Sequence, residues 1–292
     1  MKTLNLVLLT MLMMITPCMY GAPRKITPTW LHRYVPKIPV KVMDISTASC
    51  HYQPIFGDGD SEARVARSVA RVGEVTIGPH GKCKEVTYPR EEQIYYILSG
   101  NGILSYDAEK SPVKQDDFLY LPPGVRHGLT DDSGVPLRFV VMGFRIPPAM
   151  PVVMPPGLQI ANSADVRLQS DMGHPASTQY RLLLGNRRGH NDKLDCGMVV
   201  TSLFLMQFAP GGTNFPHHHN LAEELYLVLG GHGKMAAGGG ENGVVGLHPA
   251  GPGDAYFFRL NATVGFYNTG KTKAHILAVR SWYPFPERDY QN

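Results

Sequence analysis

Between Gly211 and Gly233 the chain reads GGTNFPHHHNLAEELYLVLGGHG, three consecutive histidines followed closely by Glu223 and Glu224. In an extended chain successive side chains point to opposite faces. His217 and His219 therefore share one face and His218 takes the other. After the turn NLAE, Glu224, Tyr226 and Val228 share a face, with Leu225, Leu227 and Leu229 opposite. Paired as a hairpin, the two segments bring His217, His219 and Glu224 together. Two imidazoles and one carboxylate are a ligand set for a single divalent transition metal: iron, manganese or zinc. The open coordination positions of such a triad suit oxygen chemistry on iron, or Lewis-acid chemistry through an acidified water on zinc or manganese. Two readings compete. One is a solvated histidine tract with adventitious metal affinity. The other turns His218 and Asn220 inward, and Asn is a poor ligand. Tyr226 shares the ligand face, while Tyr256 and Phe258 share a face of a later strand; these are candidates for the pocket around the metal. His232 and His248 flank a Gly-rich stretch, residues 230–251, readable as a mobile lid or as a plain hairpin tip.

The elements that must position these residues occur twice. EEQIYYILSGNGILSYD from Glu91 and EELYLVLGGHGKMAAG from Glu223 share an acidic start, an apolar strand and a Gly-x-Gly. Each is followed by an Asp and an aromatic-rich strand, DDFLYLPPGVRHGL from Asp116 and GDAYFFRLNATVGFYN from Gly253. Each copy closes on an apolar strand, 137–144 and 274–282, and each is preceded by one, 70–77 and 202–210. Short runs of Val, Ile, Tyr, Phe and Leu bounded by Gly, Pro and Asp predict strands, and two such units predict an all-β chain of two sandwiches or barrels. The segment RIPPAMPVVMPPG, 145–157, holds five prolines and predicts a stiff connector. Residues 22–45 form a Pro- and Arg/Lys-bearing arm expected to pack on the outside or to reach a partner.

The stretch from Gly211 resembles the first motif of the cupin superfamily, Gly-x5-His-x-His-x4-Glu-x6-Gly, through Gly211, His217, His219, Glu224 and Gly231, and GGTN before the histidines resembles the germin branch. DDFLYLPPGVRHGLTD resembles the second cupin motif through Pro122, Gly124 and His127, with Asp116 and Asp131 replacing its Gly and Asn. The resemblance spans about residues 65–283 and implies two tandem jelly-roll barrels, a bicupin, with residues 46–145 as a degenerate cupin domain, 146–160 as linker and 161–286 as a metal-binding cupin domain. In the first half the ligand places fall on Val86, Tyr88 and Gln93, leaving His127 alone, so Tyr88, Gln93 and His127 are expected to line a structural or metal-free pocket. In the second half the fourth ligand place falls on Val264, which cannot ligate, leaving His217, His219 and Glu224. Oxalate decarboxylases carry the full set of three histidines and a glutamate and match less well. The resemblance implies an enzyme, dioxygenase-like or hydrolase- or decarboxylase-like, acting on a small polar or anionic molecule. The competing expectation is a non-catalytic sugar or small-molecule binder with a decayed metal site.

The 292 residues suit two domains, and 43% hydrophobic with 18% charged residues is an ordinary globular balance. A net charge of +4, spread along the chain, predicts no nucleic-acid partner. Residues 1–21, with Lys2 and an apolar run from Leu4 to Ile15, read as a signal peptide, so the mature chain is expected to be secreted or periplasmic, free of the membrane, with a homodimer through the 23–40 arm as a weaker expectation. Cys50, Cys83 and Cys196 would follow the cleavage site. A Cys50–Cys83 bridge is allowed in an oxidising compartment, but the odd, sparse set favours small buried hydrophobes. Asn261-Ala-Thr263 is formally a glycosylation acceptor.

Overall fold

The computed structural model describes residues 27–170, 173–239 and 245–284. In chain order the strands are β1 (Trp30–Tyr34), β2 (Cys50–Gly57), β3 (Val69–Ile77), β4 (Glu91–Ser99), β5 (Asn101–Tyr106), β6 (Glu109–Lys114), β7 (Asp117–Leu121), β8 (His127–Asp131) and β9 (Leu137–Arg145). After the connector come β10 (Gln159–Asn162), β11 (Thr178–Asn186), β12 (Leu194–Gly197), β13 (Val200–Phe208), β14 (Ala222–Gly230), β15 (Gly233–Gly239), β16 (Val245–Ala250), β17 (Asp254–Phe258), β18 (Ala262–Tyr267) and β19 (Ala274–Trp282). Only short 3-10 turns interrupt the strands among the described residues.

Each half is a jelly roll of two facing sheets. The first half has a six-stranded sheet, β10-β7-β4-β9-β3-β2, and a three-stranded one, β6-β5-β8. The second has a seven-stranded sheet, β1-β17-β14-β19-β13-β11-β12, and the three strands β16-β15-β18. Strands β3, β4, β9 and β14 are buried almost throughout, because one face lines a barrel and the other packs on the opposite half. The small sheets instead alternate, as β5 does, since one of their faces meets water.

Two edge strands are exchanged. β1, from the amino-terminal arm, pairs antiparallel with β17 of the second barrel, Trp30 opposite Phe258 and Tyr34 opposite Asp254. β10, which opens the second half, pairs with β7 of the first, Gln159 opposite Tyr120. The arm is therefore an integral strand of the second barrel. The connector delivers its last residues back to the first, so residues 159–162 belong structurally with the amino-terminal half.

Alternation along β4 and β14 gives each barrel its interior and the molecule its central interface. Tyr95 and Ile97 enter the first barrel and Tyr226 and Val228 the second, while Ile94, Tyr96, Leu225 and Leu227 meet in the interface core. Within that apolar layer sit two buried carboxylates in matching positions. Glu92 accepts from the backbone N–H groups of Met198, Val199 and Val200, at 2.7–2.8 Å, and from the Tyr120 hydroxyl at 2.7 Å. Glu223 accepts from the backbone N–H groups of Arg67 and Ser68 and from the Ser68 hydroxyl at 2.6 Å. Each carboxylate thus caps the segment leading into the other half's β3 or β13.

Cys50 and Cys83 form a disulfide with a Cα–Cα separation of 5.0 Å, and Cys196 is free and buried. The first two are therefore a crosslink within the first barrel and not merely small apolar residues. Strand β2 and the loop after β3 fold over the same core, which a count of cysteines cannot reveal.

Replacing Glu223 by Ala leaves buried N–H groups of the other half without acceptors, each costing about 1–3 kcal/mol. Glu223→Ala is expected to lower the unfolding free energy by about 2–4 kcal/mol in denaturant melts, whereas the exposed Glu109→Ala should change it by less than about 0.5 kcal/mol.

Candidate metal centre

The histidines do not form a hairpin with β14, as alternation alone suggested. Residues 213–219 form an irregular segment bridged to β18: Thr213 opposes Tyr267 and His217 opposes Val264. His217 and Val264 exchange both backbone hydrogen bonds, at 2.8 and 2.9 Å. Glu224 reaches the same point from β14. The ligand atoms of His217, His219 and Glu224 all lie within 4.8 Å of one another, so the three meet despite the different pairing. His218 is exposed, as its opposite parity predicts.

Local structure aims these side chains. Phe215 has φ +48°, a left-handed conformation that is uncommon for a non-glycine residue and more so before a proline. Its carbonyl lies 2.8 Å from His217 Nδ1, which fixes the N–H there and leaves the Nε2 lone pair free to ligate a metal. A Cβ at Gly265 would lie 2.8 Å from Pro216 Cα, so glycine lets this segment lie flat on β18. Asn214 is buried; its Nδ2 donates to the Tyr226 hydroxyl at 3.0 Å and its Oδ1 accepts from the Phe266 N–H at 2.7 Å.

Two ligand atoms of the cluster already have the spacing of a coordination shell. His219 Nε2 and Glu224 Oε2 are buried, stand 3.1 Å apart, and lack the alignment of a hydrogen bond. Ligands at about 2.1 Å from one cation lie roughly 3.0–3.4 Å from each other, so this separation is that of two neighbours on a coordination shell. Burial would raise the Glu224 carboxyl, but His219, Arg280 and His217 around it outweigh that and hold it below the usual carboxylate range. Burial pushes His217 below the ordinary imidazole value. An ionised carboxylate beside a neutral His217 imidazole is the protonation state metal binding requires.

The triad opens into a cavity of about 220 Å³ lined by His174, Tyr180, Phe204, Asn214, Tyr226 and Arg280 among others. Ligand pockets for drug-sized molecules begin at about 300 Å³, so this one suits a small molecule. Arg280 stands on β19 directly opposite Glu224, with Nε 3.6 Å from Glu224 Oε1 and 3.1 Å from the Ser202 hydroxyl. Its guanidinium lies over the Phe204 ring, 5.3 Å from the ring centre. Of the pocket residues expected from the sequence, Tyr226 lines the cavity. Tyr256 and Phe258 are buried in the barrel core, and the Tyr256 hydroxyl turns away to the Pro249 carbonyl at 2.8 Å. Val264 is buried beside His217. His174 and Arg280 were not singled out from the sequence, because neither belongs to a motif and both come from distant segments. His232 and His248 do not line the cavity; β15 and β16 of their stretch pair with each other, and residues 240–244, part of the stretch read as a lid or hairpin tip, lie outside the described residues.

The first barrel answers differently. Tyr88, Gln93 and His127 do converge: His127 Nε2 lies 3.3 Å from Gln93 Oε1, and the Tyr88 and His127 ring centres are 5.9 Å apart. The centre is occupied by Arg71. Its guanidinium donates to Asp44 at 2.8 and 2.9 Å, to Glu91 at 2.9 Å and to the Tyr88 hydroxyl at 3.1 Å, and it lies 4.2 Å from the Tyr88 ring centre. The expected pocket is thus filled by a fixed internal cation. Gly143, opposite Arg71, has no room for a side chain, since a Cβ there would lie 2.0 Å from Glu91 Oε1. The two halves place their arginine on different strands: Arg71 faces Gly143 across Gln93's neighbour strand, and Ser202 faces Arg280 beside Glu224.

The cupin domain signature matches residues 73–143 and 204–280, just over half of the chain, one match in each barrel. The chain belongs to the cupin family and is a bicupin. An uncharacterized protein of Methanocaldococcus jannaschii is 40% identical over 53 residues, 18% of this chain and 42% of that protein, so the chain covers less than half the length of that curated relative. Among solved structures, Ylba of E. coli superposes with a TM-score of 0.67 at 15% identity over 91% of this chain and 97% of that one. The formate complex of Lactobacillus farciminis oxalate decarboxylase superposes with 0.64 at 13% identity over 87% of each chain. At these identities the likeness concerns the fold.

Burial pushes His127 down to about 4, with the Val125 carbonyl at 3.0 Å working against it. The unfolded chain, with an ordinary value of about 6.5, then binds the proton first as pH falls. Native stability that is present above pH 6.5 should be lost between about pH 6.5 and pH 4, by about 3 kcal/mol. Denaturant melts of His127→Gln across this range are expected to show a correspondingly shallower slope.

Proposed function

We propose that the protein is an exported metalloenzyme whose second barrel binds one divalent transition metal through His217, His219 and Glu224 and takes a small carboxylate into the adjoining cavity. The observation that carries this reading is that Arg280, whose one carboxylate partner among the described residues is Glu224 of the cluster itself, shares a single small cavity with His217, His219 and Glu224. Cupin domains commonly hold a transition metal, and one similar structure is an oxalate decarboxylase complexed with formate, both of which support the reading. The bound metal would act as a Lewis acid or as a site for oxygen at its open positions. Arg280 would bind and orient the anion, Phe204 and Tyr180 would exclude water, and Asn214 would hold the Tyr226 hydroxyl at the cavity wall. The first barrel, closed around Arg71, serves as scaffold. The Cys50–Cys83 bridge supports export, because disulfides persist in oxidising compartments. Residues 1–21, on which the signal peptide was read, lie outside the described residues.

The test uses the metal-loaded mature chain with oxalate, formate and a neutral polyol of similar size as probes, followed by calorimetry and thermal melts. A carboxylate is expected to bind and raise the melting temperature. Arg280→Met should weaken that binding by at least about tenfold, the loss of one charge-assisted hydrogen bond. Binding of the polyol but of no carboxylate, or carboxylate binding indifferent to Arg280→Met, would replace the anion reading with that of a neutral-ligand binder.

A further inference from the structure

The fourth ligand place of the cupin pattern is taken by Val264, yet the cavity holds a third imidazole outside both motifs. His174 lies just before β11 and lines the same wall as the triad. Its ring centre is 5.1 Å from that of His217, and His217 is 5.0 Å from His219. The His217 ring therefore stands about equally far from the other two imidazoles. His174 is packed at 6.0 Å against the Tyr180 ring, with the backbone of Asn214 beside it. The neighbouring residue of that loop, Phe215, places its carbonyl 2.8 Å from His217 Nδ1. A carbonyl partner on one nitrogen fixes the tautomer and leaves the other nitrogen's lone pair for a metal.

The segment carrying His174 is also stitched to the ligand loop. The Thr178 hydroxyl donates to the Thr213 carbonyl at 2.8 Å, and the Ala209 N–H donates to the Ser177 carbonyl at 2.9 Å. His174 is not within the compact group formed by His217, His219 and Glu224, so it stands one ring outside the triad. We infer that His174 is a fourth protein ligand, drawn into the coordination shell when the metal binds, and that it replaces the histidine lost at Val264. The inference rests on the metal-centre reading above. It assigns the site a mixed origin: three ligands from the cupin motif and one from the segment that precedes β11.

The test is a Co(II) titration of the metal-stripped full mature chain, read by visible absorption and by affinity. Four proteins are compared: wild type, His219→Ala, His174→Phe and the double variant His174→Phe/Val264→His. Phe keeps the ring packing on Tyr180 while removing the nitrogens. Wild type is expected to take up one equivalent and His219→Ala to lose it. His174→Phe should bind at least about tenfold more weakly, with an altered Co(II) absorption band. The double variant should regain affinity through the motif's own ligand place. If His174→Phe matches wild type in affinity and absorption while His219→Ala does not bind, His174 is a spectator and this inference fails alone. If wild type takes up no stoichiometric Co(II), the metal-centre reading fails and this inference with it.

Discussion

The register of β14 rests on the buried carboxylate of Glu223. It accepts from the backbone of Arg67 and Ser68 in the other half, and a one-residue slip would exchange every inward and outward side chain of the strand. With Glu223 locked to the interface, Glu224 has to enter the barrel, where it meets His219 and Arg280. Glu92 performs the same task for β4 and so directs Gln93 inward. The charge placed in each barrel is thus set from the domain junction. Both large sheets can be buried on two faces only because each half supplies the cover for the other. The exchanged strands β1 and β10 complete that arrangement at the sheet edges.

From this shared frame the halves diverge at one pair of positions. In the first barrel an arginine on β3 faces a glycine on β9, and its guanidinium is neutralised by Asp44 and Glu91. In the second barrel the arginine has moved to β19 and faces a serine, and the carboxylate beside it also belongs to the histidine cluster. A buried cation needs partners. The first barrel provides them from its own chain and closes. The second provides one shared carboxylate and leaves a cavity, which is the physical basis for proposing that half as the binding one.

Much of this was legible in the sequence. The doubled pattern of strand, Gly-x-Gly and aromatic strand gave two all-β units, and side-chain parity separated His218 from His217 and His219. Parity succeeded even though the predicted hairpin was wrong, because the bridge to β18 keeps the same alternation. Other features had no local signal. WLHRY in β1 is a short strand whose composition cannot say which sheet it joins. Arg280 lies 56 residues beyond Glu224 and becomes its neighbour only through the β14–β19 pairing. His174 and Arg71 sit outside any motif, and the Cys50–Cys83 bridge depends on a fold-over that spacing does not encode.

The central claim is that His217, His219 and Glu224 hold a metal. Elemental analysis of the mature chain, purified without a histidine tag, beside the His217→Ala/His219→Ala double variant, tests it most directly. Close to one equivalent of iron, manganese or zinc is expected in the wild type, and its loss in the variant. Absence of stoichiometric metal from the wild type, even after reloading, would contradict it and leave a ligand-binding bicupin with a decayed centre.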